Sequence, residues 1–133
     1  EPAVGTSVTL TPGLTDSDTS GFPMEEITAM VSGGPRLVEN GAICTTLEPG
    51  FQEARFTSAV TSRTALGKLA DGKLVIASTG SASIQQLREL MLQLGCVEAV
   101  NLDGGGSTAL AYQGKLIRSP GRELTTTLQI FTH

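Results

Sequence analysis

Residues 99–108 read Ala99-Val100-Asn101-Leu102-Asp103-Gly104-Gly105-Gly106-Ser107-Thr108, and the rest of the chain is organised around this stretch. Val100 and Leu102 alternate with polar neighbours, the pattern of a half-buried strand nearing its end. An acid, three glycines and two hydroxyls follow. Glycine directly after a strand lets the backbone turn sharply and present its N–H groups outward without a Cβ penalty. Successive outward N–H groups form a concavity that attracts anions. Three glycines in a row make a poor plain turn, because each loses more chain entropy on folding than any other residue. The run is therefore expected to do more than reverse the chain. Asp103 stands at its mouth to handle a proton, and Ser107 and Thr108 supply hydrogen-bond donors.

Working backwards, residues 83–95 form the clearest helix. Ser83 is a cap and Gln86, three residues on, completes a capping box. Ile84, Leu87, Leu90, Met91 and Leu94 share one face, and Gly95 sits where helices commonly end. This stripe reads as core rather than a groove for a partner. Before the helix, Arg63–Leu69 and Leu74–Ser78 flank Asp71-Gly72 as an antiparallel hairpin. Earlier still, Arg36-Leu37-Val38 is extended, and Asn40-Gly41 is a two-residue hairpin signal. Thr28–Val31 and Thr6–Leu10 read as strands, Thr11–Phe22 as a polar loop, and Pro23–Ile27 as a short helical turn. Phe51–Val60 alternates too weakly to assign. Downstream of the glycines, Ala109–Tyr112 and Lys115–Ile117 flank Gln113-Gly114 as another hairpin, and Leu124–Phe131 reads as a closing strand. The expected fold is α+β, a mostly antiparallel or mixed sheet with one major amphipathic helix at about 83–95.

The chain has 133 residues, which suits a single domain spanning 1–133. With no Trp, one Tyr and four Phe, its core must be built from Val, Ile, Leu and Ala. The formal charge is −4, and no basic cluster appears, so neither nucleic acid nor an anionic membrane surface is an expected partner. No apolar run approaches the length that spans a bilayer. Beginning at Glu1 without an initiator Met or a signal-like segment, the sequence is expected to be a processed, excised or trimmed piece. Cys44 and Cys96 lie in no CxxC pair and have no His cluster beside them, which argues against zinc. One disulfide, in an exported chain, and two buried thiols fit equally well.

Laid end to end, Ser32-Gly33-Gly34-Pro35-Arg36-Leu37-Val38 with Asn40-Gly41, Arg63-Thr64-Ala65-Leu66-Gly67, Asp71-Gly72, a helix ending in Leu94-Gly95, and the Asp103–Thr108 run resemble the phosphodiester glycosidase family. The resemblance covers roughly residues 25–131, and the DGGGS element is its most specific part. It implies a hydrolase that cleaves a sugar, N-acetylglucosamine in the best-known case, from a sugar-1-phosphodiester. It also implies an extracellular or cell-envelope location, since bacterial relatives are commonly exported. Three departures stand out. Family domains carry a further N-terminal portion before the segment matching Thr6–Leu10. The connection Ser78–Ser83 is shorter than usual. Thr125-Thr126-Thr127 stands where the family tends to show an Asn. If the further portion closes the site, this chain alone is expected to be inactive.

Phosphate is already a good leaving group, so such a site needs anion stabilisation and water activation more than strong acid catalysis. On the resemblance, Asp103 and Arg63 are the expected catalytic residues. Asp103 serves as base or as stabiliser of an oxocarbenium-like centre, and Arg63 binds the phosphate. Asn101, Gly104, Gly105, Gly106, Ser107, Thr108 and Arg122 are the expected substrate-binding residues. Arg36, Arg55, Arg88 and Arg118 are expected to be solvated. Only Asp103 is placed by the motif, although glycosidases usually need two carboxylates. Asp103 and Asn101 alone fall short of the oxygens that calcium requires, so no metal and no other cofactor is expected. His133, the single histidine, is the last residue, which excludes a Ser-His-Asp triad.

Rival readings of the run fail on its residues. No Lys follows the glycines, as a P-loop requires, and they are contiguous rather than spaced as in the dinucleotide fingerprint. Gly104 stands where an aspartic protease has Thr or Ser. Two alternatives from other classes remain: a non-catalytic carbohydrate- or anion-binding module on the same fold, and a structural domain of a larger exported protein.

Overall fold

The computed structural model describes residues 3–9 and 28–131. The chain divides into two units, Glu1–Val31 and Ser32–His133. In the first, the Thr6 N–H donates to the Ala3 carbonyl at 3.0 Å in a local turn. Neither Thr6–Thr9 nor Thr28–Val31 forms the expected strand. An extended run becomes a strand only when a neighbour pairs its backbone, and Met30 and Val31 are exposed. Leu10, the Thr11–Phe22 loop, the Pro23–Ile27 turn and His133 lie outside the described residues.

The second unit holds β1 (Arg36–Glu39), β2 (Ala42–Ile43), α1 (Ala54–Thr57), β3 (Thr61–Leu69), β4 (Leu74–Ala82), α2 (Ile84–Gln93), β5 (Cys96–Asn101), β6 (Leu110–Tyr112) and β7 (Lys115–Arg118). Five strands make one antiparallel sheet in the order β2-β1-β5-β3-β4, and β6-β7 is a separate hairpin. This is the expected α+β architecture. Both two-residue turns have the positive φ values that a twisted hairpin demands, at Asn40 (51°) with Gly41 (74°) and at Gln113 (49°) with Gly114 (74°). The Asp71-Gly72 hairpin closes with the Leu69 N–H on the Lys73 carbonyl, 2.8 Å, around a longer loop.

Because β3 is antiparallel to both neighbours, β4 and β5 are parallel, with α2 crossing between them. That crossover delivers β5 so that its carboxyl end opens into the glycine run. The capping box at Ser83 is present: its hydroxyl accepts from the Gln86 N–H (3.1 Å) and its N–H donates to Gln86 Oε1 (2.9 Å). Ile84, Leu87 and Met91 are buried against Leu37, Val38, Ala65, Cys96 and Ala99, and Leu90 packs at the margin. Gly67 makes this close approach possible. A Cβ there would lie 2.5 Å from Cys96 Sγ and 2.7 Å from Met91 Cε.

Several expectations need correction. Leu94 is exposed, because the helix ends at Gln93 and the chain turns away at Gly95. Arg88 is buried alongside Ile84, Leu87 and Met91, and its Nη2 donates to the Thr46 carbonyl at 3.0 Å, so this arginine is not solvated. Ser78–Ala82 is strand rather than loop, since pairing with β3 continues to Thr61↔Ala82. The unassigned Phe51–Val60 segment holds α1. Leu124–Phe131 is not a strand: its alternating residues find no partner strand among the described residues, and Leu128, Ile130 and Phe131 are exposed. Both cysteines are free, and burial pushes both thiols up from their ordinary value. No helix of the described residues is long and apolar enough to cross a membrane.

Candidate active site

Asn101 ends β5 and is almost wholly buried, at 3% exposure. Its Nδ2 donates to the Gly34 carbonyl (2.8 Å), its own carbonyl accepts from the Gly34 N–H (2.7 Å), and its N–H donates to the Pro35 carbonyl (3.1 Å). It therefore pins the approach to β1 against β5 from beneath. Gly33 and Gly34 lie flat in this seam; a Cβ on Gly33 would sit 2.7 Å from the Asn101 carbonyl oxygen.

Beyond Leu102 the chain enters the glycine run. Gly104 is forced by space, since a Cβ there would meet the Ser62 carbonyl oxygen at 2.8 Å, and Gly105 by its φ of +58°. Gly105–Ser107 winds into one 3₁₀ turn. The anticipated cradle is thereby reduced: the Gly104 N–H turns back onto Asp103 Oδ1 (2.9 Å), the Ser107 N–H onto the Gly104 carbonyl (3.1 Å) and the Thr108 N–H onto the Gly105 carbonyl (3.1 Å). Within the run, the Asp103, Gly105 and Gly106 N–H groups make no hydrogen bond among the described residues. Thr108 is buried at 2% exposure, behind the turn rather than in front of it.

Arg122 returns to this turn from the C-terminal segment. The Gly121 N–H donates to the Gly106 carbonyl (2.8 Å), which draws the segment alongside. Arg122 Nε then donates to Ser107 Oγ (2.8 Å), and Nη2 reaches both Ser107 Oγ and Asp103 Oδ2 (3.2 Å to the latter). The Ser107 hydroxyl, the Gly104 N–H and the Arg122 guanidinium together hold the Asp103 carboxyl below its usual range, although partial burial works against them. Asp103 is thus ionised at neutral pH, which suits a nucleophile, a base or a charge stabiliser and not a general acid.

Arg63 takes a different position. At 3% exposure it is a core residue. Its Nε donates to the Ala82 carbonyl (3.1 Å) and its Nη2 to those of Arg55 (2.7 Å) and Ala59 (2.8 Å), closing the end of α1. It has no carboxylate partner among the described residues, and desolvation lowers its pKa. Its Nη1 is uncommitted among those residues, so an uncompensated positive charge stands behind the site.

Arg63, Asn101, Asp103, Gly104 and Gly105 line one open cavity of about 630 Å³. Phe51, Arg55 and Phe56 line it too, none of which sequence reasoning assigned to the site. The Pro49-Gly50 turn signal just ahead of Phe51 could have found the first. Gly106, Ser107, Thr108 and Arg122 do not line this cavity; Ser107 and Arg122 meet it through Asp103. Asp103 is the one carboxylate among the described lining residues, and no group of three or more metal-ligating side chains occurs among the described residues.

The phosphodiester glycosidase family's model matches residues 3–131. Among curated proteins, human N-acetylglucosamine-1-phosphodiester alpha-N-acetylglucosaminidase is 28% identical over 106 residues, 68% of this chain and 21% of that protein. A hypothetical protein from Synechocystis superposes with a TM-score of 0.55 at 34% identity, over 65% of this chain and 17% of that one. The zebrafish N-acetylglucosamine-1-phosphodiester alpha-N-acetylglucosaminidase catalytic domain, auto-inhibited by its pro-peptide, gives 0.53 at 27% identity, over 68% and 34%. The chain spans about a fifth of the length of the curated relatives it matches.

Proposed function

The chain belongs to the phosphodiester glycosidase family, and from that premise we propose that it supplies the anion-holding half of a hydrolase site for a sugar-1-phosphodiester, within a single domain of the family type. The observation that carries this reading is the pairing, around one cavity, of an ionised carboxylate with a buried guanidinium that has no carboxylate partner. A buried charge without a counter-ion favours an anion arriving beside it.

In this scheme Arg63 Nη1 and the Gly105 N–H take phosphate oxygens, and Arg122 acts as a positioning residue that holds Asp103 and Ser107. The first two are donors aimed at charge that grows as the bond from the sugar's anomeric carbon to the phosphate oxygen breaks. The electron pair of that bond leaves with the phosphate, which needs little protonation. Asp103 faces the anomeric carbon as it becomes positive, and water supplies the oxygen that replaces phosphate there, its proton passing to the Asp103 carboxylate and on to solvent. Asn101 and Thr108 act as positioning residues, holding the seam and the turn from beneath. An extracellular or cell-envelope setting follows the same family likeness.

One observation favours the rival reading of a binding module: Asp103 is alone among the described residues of the cavity, where glycosidases usually bring two carboxylates. Turnover of an N-acetylglucosaminyl phosphodiester, with calorimetric binding of N-acetylglucosamine-1-phosphate, separates the readings. The hydrolase predicts release of the phosphate monoester and its loss by about a thousandfold or more in Asp103→Asn with binding kept. Binding without turnover supports the module. Absence of both overturns the site.

A further inference from the structure

Phe51 is an aromatic residue of the cavity that the scheme above leaves without work. Its ring is half-buried, yet it belongs neither to the buried core nor to the apolar residues packed against it. It is nevertheless held with care. Arg36 Nε (2.8 Å) and the Arg36 N–H (3.1 Å) both donate to Glu48 Oε1, which fixes Glu48 to the start of β1. From there Glu48-Pro49-Gly50-Phe51 makes a closed turn, with the Phe51 N–H on the Glu48 carbonyl at 3.1 Å and Gly50 at φ +96°. Proline and then a left-handed glycine at the two central positions are what a type II turn demands. The turn brings the Cζ end of the Phe51 ring onto Gly34, where any Cβ would run into the ring. Phe56 props it edge-on, with centroids 5.0 Å apart and planes at 78°.

A fixed aromatic ring thus lines the same cavity as Asp103 and Arg63. A ligand that meets all three must carry charge for Asp103 and Arg63 and a flat apolar face for Phe51. A pyranose linked to phosphate has that form: its hydroxyls lie around the edge, while the axial C–H groups of one face meet the negative face of an aromatic ring. We propose that Phe51 is the specificity platform of this site, on which the sugar ring stacks, so that the cavity selects glycosyl phosphates over phosphates without a ring. This rests on the cavity being the sugar-phosphodiester site.

The test compares N-acetylglucosamine-1-phosphate with glycerol phosphate, a phosphate monoester lacking the ring, on the whole chain and its Phe51→Leu and Phe51→Trp variants. The wild type is expected to prefer the sugar phosphate by about tenfold, as one good aromatic contact supplies. Phe51→Leu keeps apolar bulk but loses the face, and brings the two affinities together. Phe51→Trp restores the preference. Since the chain contains no other tryptophan, its indole emission should shift with the sugar phosphate and not with glycerol phosphate. A wild type that binds neither ligand overturns the function proposed for the site, and this platform with it. A Phe51→Leu variant that keeps the full preference overturns the platform alone. Should Phe51→Leu lose its cooperative melting transition, the Phe51→Trp emission decides: an indole indifferent to the sugar phosphate overturns the platform.

Discussion

Arg122 Nη2 lies 3.2 Å from Asp103 Oδ2, and the same guanidinium grips Ser107 Oγ, so one arginine spans the acid and the far end of the glycine turn. Both charged side chains are largely exposed, at 60% and 75%. An exposed ion pair of this kind contributes about 0–1 kcal/mol to stability. Its value is then geometric, in holding Asp103 and Ser107 together beside the cavity. Arg122→Met should melt within a few degrees of the wild type yet bind N-acetylglucosamine-1-phosphate roughly tenfold more weakly, because Asp103 and the turn lose the charge-assisted hydrogen bonds that hold them. Calorimetry beside a thermal melt reads both, and an unchanged affinity would remove Arg122 from the site.

The acidity of Asp103 has a pH consequence. Ser107 is the first of the groups that lower its pKa. A depressed carboxylate stays ionised as pH falls, and is neutralised only below the ordinary aspartate range near pH ~3.9. The acid limb of turnover should therefore lie below that range. Ser107→Ala removes the hydroxyl, raises the carboxyl toward its ordinary value and moves the acid limb to higher pH. A pH–rate profile of the two proteins checks the sign. A limb that stays in place or moves down would show that Ser107 does not tune Asp103.

The elements whose formation depends on near neighbours were legible in the sequence. The α2 capping box, the Asn40-Gly41 and Gln113-Gly114 turns and the β3–β4 hairpin all declare themselves within a few residues. What failed depended on distant partners. Leu124–Phe131 alternates well, but a strand needs an edge to join, and local pattern cannot report one. Arg88 is polar by type and buried by position, because the Thr46 carbonyl waits 3.0 Å from its Nη2. The site divides in the same way. Asp103, Gly104 and Gly105 follow from the motif. Phe51 enters the cavity only because Glu48, anchored by Arg36, aims it there.

Arg63 makes three hydrogen bonds to carbonyls from two separate elements. Removing it leaves buried acceptors unpaired, each costing about 1–3 kcal/mol. Arg63→Met, similar in length and without donors, should lower stability by roughly 2–5 kcal/mol in a denaturant titration. Arg63→Lys should recover little, since a single ammonium cannot reproduce the planar fork. Destabilisation under about 1 kcal/mol would mean that the α1 carbonyls find water instead.

Gly34 and Phe51 form a coupled pair suited to a double-mutant cycle. A Cβ at position 34 would occupy the space of the Phe51 ring, with Phe51 Cε2 at 2.7 Å and Cε1 at 2.8 Å. Gly34→Ala should cost about 1–3 kcal/mol as an overpacking change. Phe51→Ala alone should cost less than the loss of a core phenylalanine, because the ring stands outside the core cluster. Combining the two lets the new methyl group occupy the vacated space, so the second change should recover at least half the cost of the first. That non-additivity, about 1 kcal/mol or more, is what direct contact predicts. Additive effects would mean that the ring can swing away from Gly34 at little cost, and a platform that swings freely could not discriminate one face of a sugar.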